Sequence, residues 1–211
     1  MLPPPELLRR ALLRLLLTAL AAAAIALAWH DALLQAALPL LRAGVAALDT
    51  NYRTVELSIR TIDGESVIER VATPSRVREI GGHVIFPDEQ SRLSTRASAG
   101  ILLQPAILGA ALLAGWPWRR WRELALRCLF AMPLLALVMI LDVPMMLVGF
   151  VWFEEVKALD PDRFVPMVTW ADFMNAGGRF VLTVAAVVVA VAAARRLLER
   201  ADRRAAITAR G

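Results

Sequence analysis

The 211-residue sequence holds one cysteine, one tyrosine, two histidines and, among its 24 basic side chains, a single lysine, Lys157. One cysteine, Cys128, can neither close an internal disulfide nor hold a cysteine metal cluster. The acids Glu154, Glu155, Asp160 and Asp162 match the spacing of no metal loop and read as a solvated acidic connector. Gly177-Gly178, in MNAGGRF, follow no strand and lack a phosphate-loop pattern. They read as small residues that let helices pack closely. There is no internal repeat and no low-complexity linker. Neither a metal nor a cofactor is expected.

Apolar sequence is what the chain has in plenty. Hydrophobic residues make up 58% of it, and the mean hydropathy is +0.57. Runs of 18 or more apolar residues mark membrane proteins. The organising run is Leu124–Trp152, long enough to cross a bilayer, with one acid, Asp142, inside it. Three further spans are expected: Leu15–Ala28, Ala99–Trp118 and Phe173–Ala194. The first, behind Arg9, Arg10 and Arg14, also fits a cleavable secretory signal ending at Ala26-Leu27-Ala28. An uncleaved span is favoured because apolar character continues past Trp29. Leu33–Leu48, interrupted by Gln35, Pro39 and Arg42, reads as a membrane-proximal or interfacial helix.

Asp49–Ser98 differs in kind. Alternating segments Thr54–Ile62 and Glu65–Val71 flank Asp63-Gly64, the strongest short-range hairpin signal. His83–Phe86, after Gly81-Gly82, suggests one more strand in a three-stranded patch. The fold class is therefore membrane, mainly α, with four transmembrane helices and a small β-containing extracytoplasmic loop between the first and second. The parts are a transmembrane helix or signal anchor over 1–30, the loop over 31–98, and a three-helix region with a basic tail over 99–211.

The net charge of +5 and pI near 10.8 do not point to nucleic acid, because the arginines sit at the ends of apolar runs. They cluster near the N-terminus, over 119–127, and from Arg195 to Arg210. Between Asp31 and Ser98 eight arginines meet nine acids, a nearly neutral stretch. That alternation places both termini in the cytoplasm and the strand-bearing loop outside. Trp116, Trp118 and Trp121 would form an inner aromatic belt, and Trp29, Trp152 and Trp170 an outer one.

A thiol nucleophile at Cys128 fails on geometry. Arg127 holds it at the inner face, while His30 and His83 lie about 30 Å away across the hydrocarbon. Cys128 reads as a small buried apolar residue. A polar layer is the better candidate. Asp142 lies 15 residues from Arg127, Arg179 16 from Arg195, Gln104 15 from Arg119 and His30 16 from Arg14. At 1.5 Å per residue all four reach about 22–24 Å, and Asp142 and Arg179 can pair there.

With its first span, strand-bearing outer loop and three further spans, and with phrases such as NAGGRFVL over Asn175–Leu182, the chain resembles the accessory membrane proteins that accompany bacterial exosortases. The resemblance implies an accessory role in sorting or exporting envelope proteins at the bacterial inner membrane, with a membrane or extracytoplasmic protein as partner besides the lipid bilayer. It implies no transpeptidase activity, since the cysteine lies on the wrong side. The alternative is a small transporter or enzyme that uses an Asp142–Arg179 layer.

The topology has a direct test. In a Cys128→Ser background, a membrane-impermeant thiol reagent added outside should label Ser66→Cys and miss Ala205→Cys. The opposite labelling pattern would overturn the orientation.

Overall fold

The computed structural model describes residues 5–208, apart from 89, 90 and 119. Met1–Pro4, Arg119 and Arg210, which belong to the expected first segment and basic clusters, lie outside the described residues. The fold is mainly helical with a small sheet region. Its helices are α1 (Pro5–Ala28), α2 (His30–Leu48), α3 (Ala99–Gly115), α4 (Trp121–Leu159), α5 (Pro166–Phe173) and α6 (Arg179–Thr208). A single π-helical turn, Met174–Gly178, joins the last two. Among the described residues three stretches are long and apolar enough to cross a membrane: His30–Leu48, Trp121–Leu159 and Pro166–Arg203. The sequence pattern suggested spans at Leu15–Ala28 and Ala99–Trp118. Both fall in shorter apolar helices, Leu12–Ala28 and Ala99–Gly115, each about 25 Å long.

The chain divides into two compact units. One comprises 1–28, 105–138 and 180–211, and the other 29–104 and 139–179. In the first, Gly115 and Ala111 meet Leu15 and Thr18, so α1 runs against α3. Its core gathers Leu113, Ala131, Val187, Ala190 and Val191, with Cys128 packed partly buried against them. Large apolar side chains stand exposed on its outside: Leu12, Leu16 and Leu20 on α1, Leu129, Met132 and Leu137 on α4, and Val181, Val184 and Val188 on α6. Arg127 is fully buried. It donates to the carbonyls of Trp116 and Pro117, just beyond the end of α3, and pairs with Glu123.

The second unit is built on a three-stranded antiparallel sheet of order β1 (Tyr52–Ile62), β2 (Glu65–Pro74), β5 (Leu93–Ser98). Asp63 and Gly64 turn the hairpin with φ of 52° and 82°, which suits the twist of the flanking strands. Tyr52 and Leu57 are both buried although five residues apart. A bulge between Thr54 and Glu56 adds the odd residue that keeps them on one face. The third strand is a correction. His83–Ile85 (β4) pairs instead with Arg78–Ile80 (β3) in a separate ribbon, and Leu93–Ser98 completes the sheet.

The apolar half of α4 beyond Asp142 is core to this unit. Val143, Met146, Leu147, Val148 and Val151 are buried. Thr95 donates to the Leu147 carbonyl, and Tyr52, Ala72 and Val151 form one cluster. A Cβ on Gly44 would lie 3.0 Å from the Pro144 ring, so glycine there lets α2 lie against α4, with Leu34, Leu41 and Val45 on its buried face. Trp152 meets Tyr52 edge to face, and Trp170 donates to the Leu141 carbonyl. Two of the three tryptophans expected to form an outer belt thus have partners within this unit. The connector also differs from a solvated acidic loop. Helix α4 runs to Leu159, and Glu155 pairs with Arg78, whose guanidinium lies 3.9 Å from the Tyr52 ring centroid. Burial pushes the Tyr52 hydroxyl pKa well above its usual value, and Glu155 adds to this.

Charges pin the sheet on both faces. Arg70, on the core face, is 0% exposed and donates to Asp49 at 2.7 Å and to Thr54 at 3.1 Å. Asp49 ends α2 and accepts the backbone amides of Asn51 and Tyr52, so one carboxylate turns the helix into the strand and anchors the arginine. On the opposite face Glu69 sits between Arg96 on β5 and Arg60 on β1, a cross-strand ladder of alternating sign. Arg96 and then Ser94, both donating to it, hold its carboxyl below the ordinary range, with Arg60 adding. A depressed folded pKa contributes stability above the ordinary value of about 4.3 and loses it as pH falls toward the folded value. Exchange protection of the β2 and β5 amides, corrected for intrinsic chemistry, should therefore weaken on acidification below about pH 4.3. Glu69→Gln should flatten that dependence, and an unchanged profile in the variant would refute the assignment.

Candidate functional site

The buried charges at the middle of the chain converge on Arg179. Three segments supply its partners: α3 gives Gln104, α4 gives Asp142, and the π turn gives Asn175. The Arg179 Nη2 donates to Asp142 Oδ1 at 3.4 Å, and its Nε lies 3.2 Å from Asp142 Oδ2 as an ion-pair contact. Nη1 donates to Gln104 Oε1 at 3.2 Å, and Nη2 to Asn175 Oδ1 at 2.7 Å. Asp142 is 2% and Arg179 5% exposed. The site is a neutral ion pair in which two amide oxygens also accept from the guanidinium.

Local sequence explains how each member arrives. Pro144 has no amide hydrogen and leaves the Ile140 carbonyl without its helical donor. The next carbonyl, that of Leu141, takes the Trp170 indole instead, which ties α5 to α4 beside Asp142. In the π turn Gly177 has φ 115° and ψ −2°, a conformation that L side chains rarely adopt. Its ideal Cβ would meet nothing within 4 Å, so conformation rather than crowding calls for glycine. Gly178 is different, because a Cβ there would fall 2.4 Å from the Phe173 ring. The glycine pair thus serves the turn itself and does not open a path for a neighbouring helix as the sequence suggested. The wide turn brings Asn175 to the guanidinium of Arg179, which pairs with Asp142; π turns of this kind occur often at functional sites.

Of the four residues placed at one depth by counting, the structure brings Asp142, Arg179 and Gln104 together. His30 stands apart, at the start of α2, with its Nδ1 3.2 Å from Asp31 Oδ1. The count from Arg14 to His30 assumed one straight helix, whereas α1 ends at Ala28 and α2 begins at His30. Asn175 was missed, although its place four residues before Arg179 is the spacing of helix-face neighbours. No cluster of three or more His, Cys, Asp or Glu side chains suited to a metal occurs among the described residues.

Chemically, the arrangement can hold a charge at low exposure and lock three helical segments together. It would also let a proton or anion compete for either partner. Asp142→Ala or Arg179→Ala leaves the other charge buried and alone, which should lower unfolding stability by about 3 kcal/mol. The double variant should lose less than the sum of the singles. Gln104→Ala should cost about 1 kcal/mol. Denaturation in detergent micelles measures all four, and strictly additive singles would break the pairing. No family model, curated protein or solved structure matches this chain.

Proposed function

We propose that the chain is a non-enzymatic accessory scaffold of the bacterial inner membrane. It would hold the sheet-bearing part outside the membrane for a protein partner in an envelope-sorting or export system of the exosortase type. In this reading α1, α3, α4 and α6 cross the bilayer, both termini are cytoplasmic, and Asp49–Ser98 is extracytoplasmic. Helix α4, 39 residues long, measures about 58 Å, nearly twice the hydrocarbon thickness of about 30 Å.

The observation that carries the reading is how the environment changes along α4. Leu129, Met132 and Leu137 are exposed as lipid-facing side chains would be. Val143–Val151, one turn and more beyond, is buried under a sheet whose β1 edge is open. An open edge belongs outside hydrocarbon, where water can satisfy its backbone groups. The scaffold reading is further supported by the use to which buried charges are put. Asp49–Arg70, Glu69 with Arg60 and Arg96, Glu155–Arg78 and Asp142–Arg179 all join one element to another. The π turn at the Asp142–Arg179 pair favours the second reading, a small transporter or enzyme working through that layer.

Purification from native membranes after mild cross-linking separates the two. The scaffold should carry a membrane or extracytoplasmic protein near one-to-one stoichiometry, and that association should survive Gln104→Ala. Recovery without a protein partner but with a retained small molecule, lost in the Gln104→Ala variant, would favour the transporter or enzyme.

A further inference from the structure

β1 forms one edge of the sheet, with β2 on its other side. Helix α2 runs beside that edge, and Arg42 Nη2 reaches the Leu57 carbonyl at 3.4 Å. Between them lies a groove of about 530 Å³, lined by Arg42, Val45 and Ala46 of α2 and by residues 54–58 of β1. We infer that this groove takes an extended segment of the partner polypeptide as an added strand along β1, with an apolar side chain over Ala46 and Val55 and a carboxylate on Arg42. The inference rests on the scaffold reading and names the partner's chemistry.

Three observations converge on that occupant. Residues 54–58 extend about 17 Å, enough to pair with five residues of an added strand, and an open edge offers amides and carbonyls in register for one. A bulge usually protects an edge. Here it turns Val55, 51% exposed, into the lining beside Val45 and Ala46, which makes an apolar seat on an otherwise polar edge. The charges are unevenly committed. Glu56 is held by Ser58 at 2.9 Å and Arg60 at 3.0 Å, while Arg42 has only its long carbonyl contact among the described residues. The uncommitted charge of the groove is positive, so it selects an acidic segment. When a strand enters, its amide takes over the Leu57 carbonyl and frees Arg42 for the incoming carboxylate.

The full chain in lipid nanodiscs tests this by fluorescence anisotropy with labelled heptapeptides of alternating valine and threonine. One carries a central aspartate, one a central lysine, and a third is the aspartate peptide with alternate amides methylated. The aspartate peptide should bind saturably and about tenfold tighter than either control. Arg42→Glu should reverse the preference between aspartate and lysine, and Ala46→Trp, which fills the groove, should abolish binding while elution and tryptophan emission stay those of a folded chain. Several results would overturn the inference. They are no saturable binding, equal binding of the methylated peptide as for an acyl chain, indifference to Ala46→Trp, or self-association of the chain through β1. A stoichiometric partner retained equally by wild type and Ala46→Trp would sink the groove and leave the scaffold reading intact. Absence of any stoichiometric partner from wild type would remove that reading itself.

Discussion

The Asp142–Arg179 pair is the constraint on which the middle of the chain depends. A carboxylate and a guanidinium, both nearly excluded from solvent, must find each other or leave a charge buried alone. Meeting that demand fixes the rotation of α4, because Asp142 must face inward, and the path of the chain before α6. The π turn, with Gly177 at positive φ, widens the helix where Arg179 must arrive and carries Asn175 to the same guanidinium. Gln104 draws α3 into the arrangement. Once the pair is formed, three helical segments have only a narrow choice of relative rotation.

A second level of organisation follows from Asp49. Its carboxylate serves as the end of α2, as acceptor for the first amides of β1, and as counter-ion to Arg70. Helix, strand and sheet core are thereby joined through one side chain. Because α2 ends there, it runs back alongside β1, and the groove under Arg42 is a geometric consequence. The C-terminal end of α4 is fastened in the same manner, with Arg78 laid over Tyr52 and paired with Glu155. Arginine suits each of these places because its planar head can pair with a carboxylate and stack on a ring at once.

These pairings also show what an apolar run does and does not say. Leu124–Trp152 is apolar on both sides of Asp142, yet its two halves meet different surroundings. Leu129, Met132 and Leu137 are left exposed, while Val143, Leu147 and Val151 disappear beneath β-strands. Apolarity registers removal from water and is blind to whether lipid or protein replaces it.

The sequence by itself determined the elements governed by local periodicity. The apolar helices, the Asp63-Gly64 hairpin and the inward demand on Asp142 and Arg179 follow from residue spacing, because backbone geometry repeats at 3.6 or 2 residues. Counting along helices also brought Gln104 to the same level. Tertiary structure decided everything that joins residues distant in sequence. Leu93–Ser98 has the short, mixed composition of a loop, and becomes a strand because β2 offers it an edge. His83–Ile85 goes instead to β3, since Gly81 and Gly82, both at positive φ, turn it back upon its neighbour. His30 meets its neighbour Asp31, and the helix is interrupted at Trp29, where no proline or glycine signals it. Arg70 was one more arginine in a nearly neutral loop until Asp49, 21 residues earlier, met it in the core. Such partners are chosen by packing in three dimensions, for which a linear pattern carries no term.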